Sequence, residues 1–87
     1  MIESALRHHQ GLGIEEHRDK LAQLYSGFSE IASRNPHAWR RERVTAEAIR
    51  NPEGKNAMIA FSYTKLHNSQ WNVNQAVAII VCSVAKA

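Results

Sequence analysis

Five histidines, one cysteine, a run of arginines and an amide-rich stretch are the residues of this chain with chemistry to offer. The histidines are His8, His9, His17, His37 and His67. No two of them stand at the i, i+4 spacing that sets two imidazoles on one helix face for zinc. The single cysteine, Cys82, lies far downstream of most of them, so the pattern gives no metal site. His9 and His17 fall on apolar stripes and read as core or interface histidines. Cys82 is preceded by Val81 inside an apolar run. A nucleophilic cysteine normally sits at a strand–helix elbow or a helix N-terminus, where its thiolate is stabilised. Cys82 is therefore expected to be a buried structural thiol.

Arg40-Arg41-Glu42-Arg43 follows Trp39, and Lys55 and Lys65 add cations further on. An aromatic platform with cations is one way to hold phosphates. Glu42 interrupts the run, and no nucleic-acid module signature accompanies it. The segment reads as a solvated helical face anchored by one tryptophan, and a phosphate-bearing cofactor would draw on the same side chains. Asn68, Ser69, Gln70, Asn72, Asn74 and Gln75 surround Trp71. Such a stretch either presents amides and backbone N–H groups to a ligand or is a polar loop with a local helix cap.

The elements that must position these groups follow from periodicity. Ile2, Ala5, Leu6 and His9 make one helical stripe over about residues 2–10, ended by Gly11 and Gly13. Ile14, Leu21 and Phe28 repeat by seven, as do His17, Leu24 and Ile31, so a long helix with one seam is expected from Ile14 to Ser33. Its buried side chains should include Leu21, Leu24, Phe28 and Ile31. Glu15, Glu16 and Asp19 suit the N-terminal end of its dipole, and Asn35-Pro36 stops it. A turn at Asn35–Trp39 should lead into a short helical piece. Thr45 offers an N-cap for a helix beginning at Ala46. Asn51-Pro52-Glu53-Gly54 is a turn cluster. Met58–Phe61 is expected to be a strand, Val73–Ala78 a short helix or turn, and Ile79–Ser83 a strand.

The 87 residues make one domain, 1–87, with a small core, because only about 60–65% of the unfolded surface can be buried at this size. The 44% hydrophobic content argues against wholesale disorder. Eleven Lys and Arg against eight Asp and Glu permit an anionic partner without demanding one. One cysteine suits a reducing cytosol, no run is long enough to span a membrane, and the N-terminus has no signal-peptide pattern. The expected location is therefore cytoplasmic, with neither nucleic acid nor membrane as partner. The β-branched run Ile79–Val81 asks for sheet neighbours that so short a chain barely supplies. This points either to a piece of a larger enzyme or to a domain that self-associates.

Three stretches together resemble the middle of bacterial thiolase-like acetyl-CoA acetyltransferases. They are Ala32-Ser33-Arg34-Asn35-Pro36-His37-Ala38-Trp39, then Ala57-Met58-Ile59-Ala60-Phe61-Ser62-Tyr63-Thr64-Lys65-Leu66, then Val73 to Ala87. The second is similar to the family's apolar strand and Pro-Tyr-x-Lys-Leu motif, with Ser62 in place of the proline. The third resembles the family's helix–strand after the loop domain, although Asn74-Gln75-Ala76 departs from the commoner Asn-Asp-Gly. Ile2 to Leu24 is similar to the preceding segment, so the likeness covers nearly the whole chain. The resemblance implies acyl transfer between acyl-CoA molecules through a cysteine thioester. The family's nucleophilic cysteine, Gly-His-Pro and Cys-x-Gly motifs have no counterpart here.

The expectation is an α+β, helix-rich chain with two short C-terminal strands, resembling part of a thiolase fold. By the resemblance it supplies the coenzyme A side of an acyltransferase and is not catalytic alone. The remainder of such an enzyme, or self-association, would complete its sheet. Ligand contacts to acyl-CoA are expected at Asn68, Ser69 and Trp71, with Arg40, Arg41 and Lys65 as phosphate partners. The alternative is a small helical interaction module whose long-helix seam dimerises or docks a partner helix.

Overall fold

A computed structural model describes residues 2–68 and 72–86. Three helices precede a two-stranded antiparallel sheet. The first helix, α1, spans Ile2–His9. Its end is a Schellman motif: the Leu12 N–H donates to the Arg7 carbonyl (3.1 Å) and the Gly11 N–H to that of His8 (3.0 Å). Gly11 takes φ +65° there, the left-handed conformation that a residue without Cβ adopts freely. Leu12, just beyond, is buried.

The long helix α2 runs Ile14–Arg34, within a residue of the expected bounds. Glu15 and Glu16 occupy its first turn and Arg34 its last, which matches the macrodipole. Asn35 ends it: its N–H bonds the Ala32 carbonyl, and its side-chain oxygen accepts the His37 N–H (2.9 Å) in an Asx turn. The short helix α3, Ala46–Arg50, starts at Thr45, whose hydroxyl accepts the Ala48 N–H (3.2 Å). The cap read from the sequence is the cap observed.

The strands are β1, Met58–Ala60, and β2, Tyr63–Thr64, paired Met58 to Thr64 and Ala60 to Tyr63. A 3-10 turn, Lys65–His67, follows β2. The chain is thus α+β and helix-rich with two short strands, but the second strand is not the one expected. Residues 79–83 form no strand, and Ile80 is 92% exposed. Val73–Ala78 forms no helix either. Val73 and Val77 are β-branched and Asn72 and Asn74 are poor helix formers, so that stretch has little local drive. A strand needs a paired neighbour, and within this chain β1 pairs instead with the residues just across its own turn. The helical piece expected after Trp39 is likewise absent.

The core is where the seam prediction fails. Buried positions on α2 are His17 and Ala22, whereas Leu24, Phe28 and Ile31 are 53%, 55% and 71% exposed. The cause is the face of α2 that its cover takes: Asp19, Ala22 and Gln23 share one cleft with Ala46, Glu47 and Arg50, and Leu24 stands roughly 200° around the helix from Ala22. The five-residue α3 packs on α2 where Ala22 lets the backbones approach, and Arg50 of α3 pairs with Glu15 and Asp19 of α2. Leu21 is half-buried at the margin of the covered face, while Leu24, Phe28 and Ile31 stand on the other side of α2. Ile49 on α3 completes this small apolar core.

Most buried side chains are polar, and His17, Asn56, Thr64 and His67 each have a hydrogen-bond partner. Asn56 donates from Nδ2 toward the carbonyls of Ala48, Ile49 and Asn51 (2.9–3.1 Å) and accepts the Leu66 N–H (2.9 Å). It thereby ties the end of α3 to the turn after β2. Thr64, fully buried, donates to the Ile49 carbonyl (2.5 Å).

Candidate functional site

The arginine run is strapped onto α2 by two serines one turn apart. Ser29 Oγ accepts the Val44 N–H (2.8 Å) and donates to the Glu42 carbonyl (3.2 Å). Ser26 Oγ donates to the Val44 carbonyl (2.9 Å). Serine suits this task because a hydroxyl both donates and accepts. The strap leaves a groove of about 250 Å³ between α2, the 40–44 segment and the core. Tyr25, Phe28, Ala32, Val44, Ile49 and Leu66 give it apolar walls; Arg40, Glu42 and Ser29 supply its polar edge.

The cations around this groove are not equivalent. Glu30 pairs with both Arg34 (2.6 Å) and Arg43 (3.4 Å). Arg40 and Arg41 are exposed and have no carboxylate partner among the described residues. Arg40 lines the groove and Arg41 does not. Lys65 is exposed in the turn next to Leu66, another groove residue. Asn68 is exposed, but its amide already donates to the Thr64 carbonyl (2.9 Å) as part of that turn. Ser69 and Trp71 lie outside the described residues. Of the expected ligand residues, the fold thus sets Arg40 on the groove and Lys65 beside a groove residue.

Two histidines that the sequence could not distinguish have defined places. His17, on α2, meets the Glu3 carboxylate of α1 through Nε2 (2.7 Å). The Tyr63 hydroxyl of β2 faces that carboxylate as well. Hydrogen bonding by Tyr63, then by His17, outweighs partial burial and holds the Glu3 carboxyl below its ordinary range. Burial, reinforced by the Glu3 carboxylate, pushes the Tyr63 phenol up to about 12. His67 Nδ1 accepts the Thr64 N–H (3.1 Å), which assigns the proton of the neutral ring to Nε2. Its ring lies edge-on between Tyr25 (4.9 Å) and Tyr63 (5.7 Å), and burial lowers its pKa. The Nε2–H is buried and without a partner among the described residues.

His9, by contrast, is exposed and so is no core histidine, and Cys82 is exposed as well, which corrects the expectation of a buried thiol. Among the described residues no three His, Cys, Asp or Glu side chains gather as a metal site. No helix among them is long and apolar enough to cross a membrane. Comparison with protein-family models, with curated proteins and with solved structures returns no match to this chain.

Proposed function

We propose that this chain is the coenzyme A side of a thiolase-like acyltransferase, an acetyl-CoA acetyltransferase, and that it does not catalyse acyl transfer by itself. One observation supports the reading beyond the sequence resemblance: an apolar groove with, on its edge, an arginine that has no carboxylate partner among the described residues. Coenzyme A presents matching chemistry, a slender pantetheine arm joined to a phosphate-rich nucleotide. In this reading Phe28, Val44 and Leu66 cover the arm, while Arg40 attracts phosphate, with Arg41 and Lys65 adding charge nearby. A guanidinium suits that task because its planar fork matches phosphate oxygens. Acyl transfer also needs a nucleophile, a base and an oxyanion site within hydrogen-bond reach of one another. Cys82, exposed in an irregular segment, has no such surroundings among the described residues.

Calorimetric titration with coenzyme A tests the groove. Binding should weaken with added salt and fall at least about tenfold in Arg40→Glu, the loss of roughly one charge-assisted contact. Equal affinity in wild type and Arg40→Glu would remove the groove from the reading. The flanking coding sequence tests the enzyme: a Gly-His-Pro downstream supports it, and a stop codon directly after Ala87 counts against it. The exposed Leu24, Phe28 and Ile31 favour a second reading, an interaction module that docks a partner helix on α2. Loss of a partner in Ile31→Asp, with coenzyme A binding absent in wild type, would select it.

A further inference from the structure

Two surfaces of this chain lack what the other has. The first is the segment Ala76–Val81, whose side chains all stand exposed, Val81 at 89%. Among the described residues no hydrogen bond engages the backbone between Asn72 and Cys82. The second is β1, which has a neighbour on one side only and carries the exposed apolar side chains of Met58 and Ile59. We propose that Ala76–Val81 of one copy adds as a strand to the open edge of β1 in a second copy, and that the exchange is reciprocal. This goes beyond the acyl-CoA reading and does not rest on it.

Three features commit the occupant to a second copy. Each surface is a strand edge or a strand former, so pairing supplies backbone hydrogen bonds to one and β-branched cross-strand partners to the other. The chain's own helices leave the segment uncovered, so the partner must come from elsewhere. Exposed edges are ordinarily protected by Lys, Pro or an inward-pointing charge. Residues 57–61 and 72–85 contain neither charge nor proline. The area suffices as well. Full burial of one Val or Ile side chain removes roughly 60–120 Å² from water. For the four such side chains of the segment, Val77, Ile79, Ile80 and Val81, with the surface they cover and with two copies exchanging, the total is at most about 1,000–1,900 Å², which overlaps the range of stable interfaces.

Cys82, the single cysteine, is exposed and just beyond the proposed strand, so it can carry a reporter. Chains spin-labelled at Cys82 are mixed with ¹⁵N-labelled Cys82→Ser chains. Only contact between copies then broadens ¹⁵N signals. Loss of the Met58, Ile59 and Ala60 amide signals, with those of α1 unchanged, is the expected result. Sedimentation should give twice the chain mass. Ile80→Lys in the spin-labelled chains should restore the β1 signals, and in all chains it should return the mass to that of a monomer with unchanged helical circular dichroism. Unaltered β1 signals, broadening centred on Leu24–Ile31 instead, or a monomer mass for wild type would each overturn the proposal.

Discussion

Replacing Asn56 by alanine should cost this chain a large part of its stability, and the sum can be worked from four bonds. The amide reaches the carbonyls of Ala48, Ile49 and Asn51 and accepts the Leu66 N–H. Two of those carbonyls keep another donor when it is gone: Ile49 retains the Thr64 hydroxyl, and Asn51 retains the Glu53 N–H. The Ala48 carbonyl and the Leu66 N–H lose the side-chain partner that Asn56 gave them. A buried group left unpaired costs about 1–3 kcal/mol, and water reaches these partly buried positions in part, so about 2–4 kcal/mol is expected. A chain of this length has only about 4–13 kcal/mol to lose. Urea denaturation followed at 222 nm should show the lower midpoint at unchanged slope. Asn56→Asp sharpens the test. It keeps an acceptor for the Leu66 N–H but, when ionised, sets a carboxylate against three carbonyls. Those carbonyls raise its folded pKa, so its deficit should grow as pH rises through that value and shrink in acid. An Asn56→Ala loss below about 0.5 kcal/mol, the scale of an ordinary surface change, would refute the reasoning.

Leu24→Ala should cost under about 1 kcal/mol, because the side chain is half exposed; the 2–5 kcal/mol of a core leucine would mean that α2 packs by its other face. Ala22→Leu should destabilise by about 1–3 kcal/mol through overpacking where α3 meets α2, and an unchanged urea midpoint would contradict that contact. His67 has a folded pKa below its ordinary 6.5, so its contribution is complete above 6.5 and is lost as pH falls through that value toward the folded one. His67→Met should lack this component in thermal melts between pH 7 and about 5. Tyr63 has the opposite sign. Its raised pKa gives stability that is complete below its ordinary value of 10.0 and is lost as pH rises toward about 12. Ultraviolet titration of Glu3→Gln should bring its ionisation part of the way back toward 10.0, since burial, the larger cause, remains; an unchanged ionisation would show that Glu3 contributes nothing.

The helices were legible because their signals are local. Gly11, the Asn35-Pro36 stop and the Thr45 cap each fix a boundary by backbone chemistry that needs no distant partner, and all three stand where the sequence placed them. Burial was not legible, because a heptad of apolar residues says which face wants cover and nothing of how much cover exists. Leu24, Phe28 and Ile31 lie on that face, whereas α3 packs on the face that carries Ala22. The run Ile79–Val81 forms no strand for a related reason: strand propensity is a demand for a neighbour, and within one copy of the chain the run pairs with none. At the groove, Arg40 stands on the edge and Lys65 next to Leu66, positions that charge alone does not give. Ser26 and Ser29, which hold the arginine segment in place, carried no signal beyond an i, i+3 pair of hydroxyls on a helix.

The polar character of the interior has a calorimetric consequence. Leu12, Ala22 and Ile49 are its only buried apolar side chains among the described residues, against His17, Asn56, Ser62, Thr64 and His67. Unfolding raises heat capacity in proportion to the apolar area exposed and lowers it in proportion to the polar area. For 87 residues the ordinary increment would be about 1.0–1.3 kcal/mol/K. This chain should fall well below that. A small increment reduces the curvature of stability with temperature, so the fold loses little on cooling.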